Sequence, residues 1–362
     1  MPFSFSYLFR KCVIIFIWVG LIFSFLFLKN LPFQSTEPNK TLCIFTWSDV
    51  FPPETIDAFE QSTGIKVHID YYSSNEEMLI KLKKVKSSGY DLIVPSDYAV
   101  SMLKQEQLLK PLQKEKLNFL SDLHPFLLNH SFDKNNTYSL PLQWDICGFG
   151  IDKELFHRHK YPSFTWNDLF IPQTHEYKIA MSNDPIEAFA IASHFLHGSK
   201  EELTEQEINE VKHLLIKQKK HVEAYAAPRA DYILGSKNAS LALSLSAYIL
   251  RSKNDFPFME FVLPEKSTTI SIENVAIPVG GKNEEAVYTF LNFLYEPKHL
   301  SKACNAYGVF PSTKSATPYL KYQKEFLDIL SKIHQNDYQL FFVKHLISEK
   351  KLRSLWVEIK AS

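Results

Sequence analysis

The chain has 362 residues, 45% of them hydrophobic, and carries 40 Lys plus Arg against 40 Asp plus Glu. That length accommodates two ordinary domains, each with its own core. A formal net charge of zero argues against nucleic acid or an anionic membrane surface as the main partner, so capture of a cation would need a local acidic pocket.

Arg10 and Lys11 precede an apolar run over residues 12–28, closed by Lys29. A positive region followed by an apolar one is a targeting pattern. As a helix the run would reach about 25 Å, slightly short of a bilayer core. It is long for a signal peptide, no A-x-A-like cleavage site follows, and no lipobox surrounds Cys12 or Cys43. A cleaved signal and an uncleaved anchor both stay open. Each leaves Arg10 and Lys11 inside and exports the rest of the chain, so the expected location is periplasmic. Residues 30–40 are polar and Pro-containing, so residues 1–40 read as a targeting segment plus linker.

Beyond the linker, strands and helices alternate. Residues 42–46 are apolar and bounded, which predicts a buried strand. Pro52 and Pro53 open a helix over 54–62 that Gly64 closes. Val67, Ile69 and Tyr71 alternate as a strand does. Ser74 and Glu77 have capping-box spacing ahead of a helix reaching about residue 87. Residues 92–94 predict a short strand ending at Pro95. This order describes a doubly wound α/β lobe. A second pattern of the same kind begins near residue 150. It has strands at 179–181, 241–245 and 261–263, helices at 185–196 and 205–218, and extended chain at 270–278. A helix at 283–295 should stop at Pro297, and the chain from Tyr322 onward is largely helical. The cysteines, Cys12, Cys43, Cys147 and Cys304, match no zinc or CxxC spacing and read as small buried hydrophobes, with one oxidised pair left open.

Neither a Walker loop nor GxGxxG occurs, so no cofactor is implied and binding between lobes is favoured over cofactor chemistry. In open α/β sheets ligands sit beyond the carboxyl ends of strands. The first residues there are Trp47-Ser48-Asp49, Ser96-Asp97-Tyr98, Asn183-Asp184 and Glu273. Polycation capture needs carboxylates that meet separate ammonium groups and aromatic faces against the methylenes between them. Asp49, Asp184, Glu187 and Glu273 supply the first; Trp47 and Tyr98 supply the second. Each has a plainer reading. Asp184, Pro185 and Glu187 also spell a helix start. Asp49 suits a turn, Trp47 a core, Tyr98 and Glu273 an ordinary surface. Their shared position after strands joins them.

Several stretches resemble the spermidine/putrescine-binding proteins of bacterial ABC transporters. They are 42–53 (LCIFTWSDVFPP), 59–67 (FEQSTGIKV), 73–82 (SSNEEMLIKL), 90–98 (YDLIVPSDY), 138–150 (YSLPLQWDICGFG), 181–187 (MSNDPIE) and 275–278 (VAIP). The resemblance implies an α/β, type II periplasmic-binding fold. Its two lobes would be joined by crossover strands near 142–145 and 270–275. Residues 41–145 with 274–318 would form the first lobe, and 146–273 with 319–362 the second. It further implies a polyamine ligand trapped by lobe closure and delivered to an inner-membrane permease. The family's Trp-Thr-Glu-Tyr contact segment is matched by Trp47, Ser48 and Asp49, but Val50 replaces its tyrosine. Ser96, Tyr98, Asp184, Glu187 and Glu273 match further contact positions. Two family tryptophans fall at Leu245 and Ser271, and a late tyrosine falls near Val309 and Phe310, which makes Phe310 the substitute aromatic. The aromatic cage is therefore thinner than the family's.

An enzyme is the competing class. Glycosidase chemistry needs carboxyls on opposite sides of a bond, whereas Asp184 and Glu187 at i, i+3 share one side. No G-x-S-x-G or H-E-x-x-H occurs. The same fold with another small cationic solute stays open, while the acids at the strand ends count against an anion.

Overall fold

The computed structural model describes residues 41–362, except 159–160, 162, 173–176 and 227–228, together with Trp18. The targeting run expected over 12–28 otherwise lies outside the described residues. Among the described residues no helix is long and apolar enough to cross a membrane.

Residues 41–362 form one compact unit. In chain order its strands and α-helices are β1 Thr41–Thr46, α1 Pro53–Thr63, β2 Lys66–Tyr71, α2 Asn75–Lys84, β3 Leu92–Ile93, α3 Asp97–Gln105 and β4 Ser139–Asp152. Next come α4 Lys153–Arg158, α5 Trp166–Phe170, β5 Ile179–Ser182, α6 Pro185–His197, α7 Glu205–Gln218, β6 Val222–Ala226, α8 Ala230–Gly235 and β7 Leu241–Leu245. The rest are α9 Ser246–Ser252, β8 Met259–Val262, β9 Ser267–Ala276, α10 Glu284–Leu294, α11 Pro297–Tyr307, β10 Phe310–Pro311, α12 Gln323–Ile333, β11 Gln339–Phe341 and α13 Glu349–Ala361.

Local chemistry accounts for several helix starts. Asp184 caps α6 by accepting from the Ile186 amide at 2.8 Å, with Pro185 at the first helical position. The Ser74 hydroxyl accepts from the Glu77 amide at 3.1 Å, but Glu77 returns its bond to the Ser73 amide at 2.9 Å, one residue earlier than a capping box would have it. Pro297 does more than stop α10: it occupies the first turn of α11.

The strands hydrogen-bond in the order β2-β1-β3-β9-β4-β7-β5-β6, with β8 and β10 on β4 and β11 on β9. Contacts β1–β2, β1–β3, β5–β6 and β5–β7 are parallel. Strand β4 joins the two halves. Its first part, Ser139 to Ile146, pairs antiparallel with β9; its last part, Cys147 to Asp152, pairs with β7 and β8. All 14 of its residues are buried. One apolar core includes Trp144 and Ile146; the other begins with Cys147 and Phe149. The change of core thus falls inside one strand.

One expected lobe assignment needs correcting. Helix α12 lies in the stretch 319–362 given to the second lobe, yet Phe326, Ile329 and Ile333 belong to the first core. These positions share one helix face, and Phe326 packs its ring against Trp144 and Phe310. The terminal α13 buries Leu352, Leu355, Trp356 and Ile359 in the second core. Cys43, Cys147 and Cys304 are all free thiols.

The joining strand tolerates little added volume. A Cβ at Gly148 would lie 2.6 Å from the Phe261 ring and 2.7 Å from the Val262 carbonyl oxygen. Gly148→Ala is expected to cost about 2 kcal/mol. Equilibrium denaturation checks this, and an unchanged midpoint would count against the close packing of β4 on β8.

Candidate functional site

The carboxyl ends of β1, β3 and β5, the starts of α2, α3 and α6, and the middle of β9 converge on one cavity of about 460 Å3. Eight of the residues singled out from sequence line it: Trp47, Ser96, Tyr98, Asp184, Glu187, Leu245, Ser271 and Glu273. A second cavity of about 410 Å3 adjoins it through shared walls at Trp47, Leu245, Tyr248, Ser271 and Glu273. Ser48 and Asp49 line only this second space. Asp49 is largely exposed and stands 4.0 Å from the Arg251 guanidinium.

Phe310 lines neither cavity. Strand β10 pairs antiparallel with β4, Phe310 opposite Trp144. Side chains alternate along a strand, so Phe310 turns into the first core at 1% exposure while its neighbour Val309 faces the second cavity. The expectation that Phe310 replaces the lost tyrosine therefore fails.

On the first-lobe wall, the Trp47 indole N–H donates to Glu273 Oε2 at 2.9 Å, and its ring stands 4.4 Å from that of Tyr72. The Tyr98 hydroxyl donates to Glu76 Oε1 at 2.5 Å, and the Asn75 amide donates to the Ser96 hydroxyl at 2.8 Å. Asp97 is buried and accepts from the Tyr98 amide at 2.7 Å and the Ile272 amide at 2.9 Å. From the second lobe come Asp184, Glu187, Ser182 and the stretch Leu243, Ser244, Leu245. Tyr248 follows on α9, whose first turn is held by Asp145: that carboxylate of β4 accepts from the Ser246 hydroxyl and the Ala247 amide.

Loss of water dominates the electrostatics. Desolvation raises the Glu273 carboxyl to about 8, with the negative Asp97 adding to the shift and the Trp47 N–H opposing it. Glu187 rises to about 7, again chiefly from desolvation and then from neighbouring Asp184, against a hydrogen bond from Ser182. Asp97 also rises to about 7 through burial, held back by its backbone donors. A wall of carboxyls short of donors is chemically suited to a cation, which would supply the missing positive charge. Among the described residues no group of three or more His, Cys, Asp or Glu is arranged to hold a metal ion.

Sequence reasoning missed several lining residues. Asn75 and Glu76 follow β2, so the strand-end rule reaches them, but their stretch read only as a helix cap. Asp97 stood in a strand-end group without being chosen. Tyr248 and the segment Val343, Lys344, His345 also line the cavity, and that last segment follows a strand of three residues with no clear sequence signal.

Relatives agree with this architecture. The chain is 32% identical over 276 residues to the spermidine/putrescine-binding periplasmic protein of Escherichia coli, covering 75% of this chain and 77% of that one. It is 28% identical over 338 residues to the putrescine/cadaverine-binding protein of Pseudomonas aeruginosa, covering 90% and 95%. The fold superposes on the crystal structure of the spermidine/putrescine ABC transporter substrate-binding protein PotD of Streptococcus pneumoniae with a TM-score of 0.75, at 23% identity, over 89% of this chain and 98% of that one. Residues 54–326 match the sequence pattern of bacterial extracellular solute-binding proteins. The chain belongs to that family and has the two-lobed α/β fold of periplasmic binding proteins.

Proposed function

We propose that this protein captures a polyamine between its lobes and hands it to an ABC permease. The observation that carries this reading is the composition of one cavity: the carboxyls of Glu76, Asp97, Asp184, Glu187 and Glu273 stand in it with the rings of Trp47, Tyr98 and Tyr248. Amines separated by methylenes need that combination. Asp184 and Glu187 hold one ammonium, and Glu273 holds another beside Trp47. Ser96 and Tyr98 complete the first-lobe wall. Asp49 and Ser48 guard the adjoining space, and Leu245 and Ser271 give it width where an aromatic cage would be tighter. The names of the relatives, which bind spermidine, putrescine or cadaverine, support the same cargo. No bond is made or broken in this role. Closure buries the charges, so each must be paired, and the closed surface is what the permease recognises. The working location is the periplasm, and residues 12–28 supply the export signal or anchor.

Calorimetric titration of the purified protein with spermidine, putrescine, cadaverine and a neutral sugar tests this. Micromolar or tighter binding of a polyamine and none of the sugar is the expected result. No heat with any polyamine from a folded, ligand-free sample would overturn it.

A further inference from the structure

We propose that Glu76 is a ligand-binding residue: with Tyr98 beside it and Asp184 on the facing lobe, its carboxylate completes one ammonium station to which both lobes contribute. This rests on the polyamine reading and adds a residue to it. Glu76 lies in the first turn of α2, where an acidic side chain ordinarily serves the helix terminus. Here that work is done by others. Ser74 caps the helix, and Glu77 binds the Ser73 amide and hydroxyl. Glu76 instead lines the main cavity and accepts a hydrogen bond from the Tyr98 hydroxyl at 2.5 Å.

That bond orients the station. A tyrosine whose O–H is spent on Glu76 offers its oxygen lone pairs to an incoming N–H donor. The charge of Glu76 stays on the cavity wall one bond away. Asp184 is close enough across the cleft to act electrostatically on Tyr98. A cation placed there is attracted from both sides, so its arrival draws the lobes together. The other charged or titratable groups at this end are Glu187, Asp97, Lys344 and His345. Lys344 is engaged by Glu201 at 2.6 Å, and the His345 ring centre lies 6.4 Å from that of Tyr98.

Glu76 has a rival role, which is only to hold Tyr98 in place. A double-mutant cycle in the full-length protein separates the two. Glu76→Gln keeps the shape and removes the charge. It should weaken putrescine binding about tenfold to a hundredfold. In a Tyr98→Phe background the same change should still cost at least about fivefold, because the charge acts directly. Glu76→Asp should recover part of the loss, and the salt dependence of affinity should be shallower in Glu76→Gln than in the parent. Unchanged affinity in Glu76→Gln, with the parent still binding, overturns this proposal and leaves the polyamine reading intact. An effect that vanishes when Tyr98 is already Phe also overturns it, since Glu76 would then be a positioning residue alone. Failure of the parent to bind any polyamine overturns both.

Discussion

A variant carrying Asp184→Asn and Glu187→Gln is expected to bind polyamines at least about a hundredfold more weakly than the parent. Each lost carboxylate removes a charge-assisted hydrogen bond, on the order of 1.5–3 kcal/mol apiece. The fold should survive. Asn caps a helix about as well as Asp does, so the bond to the Ile186 amide at the start of α6 is kept. Glu187→Gln also removes a carboxyl whose charge is disfavoured by its surroundings, its value being raised to about 7 by desolvation. The ligand-free variant should therefore melt no lower than the parent at pH 8. Titration calorimetry and a thermal melt check the two halves together. Affinity within about threefold of the parent would remove Asp184 and Glu187 from the binding reading. A collapse of the melting temperature would show that the acids serve mainly to hold the lobe.

Affinity should also climb steeply with pH between 6 and 8. Without ligand, Glu187 and Asp97 hold protons up to about 7, and Glu273 up to about 8. A bound ammonium favours the ionised carboxylates and expels those protons. Binding is then weakest where the carboxyls are protonated and levels off above pH 8. One linked proton changes affinity by up to about tenfold per pH unit. The ligand-free fold has the opposite slope. The folded value of each acid lies above its unfolded value, so the neutral carboxyl stabilises the folded chain below about 4.5. That contribution is lost as pH rises through 7 and 8. Melting temperature without ligand should fall over this window, and added polyamine should offset the fall. Titrations in two buffers of different ionisation enthalpy count the protons released, and Glu273→Gln should release fewer. A flat affinity from pH 6 to 8 would show that these carboxyls are already ionised without ligand.

Much of this architecture could be read in the chain because its local signals agree with its tertiary ones. Helix α7 and strand β7 fall on the residues their periodicity picks out, and Asp184 caps α6 as the Asp-Pro-x-Glu spacing foretells. The strand-end rule placed six residues on the main cavity, because the sheets have parallel strands whose ends face the cleft. What escaped has a physical reason. Phe310 was placed by alignment, but which way a two-residue strand turns depends on its partner, and that partner is Trp144. Helix α12 shows a clear apolar face, yet the face does not say which of two cores will take it. Glu76 sits in a stretch already explained by a helix start, and an acid at a helix start looks the same whether or not it also faces a ligand. Asp97 stands at a strand end between Ser96 and Tyr98, where the two neighbours drew the choice. Tyr248 depends on Asp145 holding a short helix from another strand, a contact across 101 residues of chain to Ser246.

The joining strand also sets the order in which the molecule can be finished. Strand β4 belongs to both cores, and much of it is paired with β9, which is made far later. The first core cannot close around its apolar side chains until β9, which ends at Ala276, is present. Long-range pairing of this kind is slow to form. For a member of a family that works outside the cytoplasm, slowness is useful. A chain that is late in folding can still be threaded through a membrane channel, and β9 pairs with β4 only after most of the chain has been made.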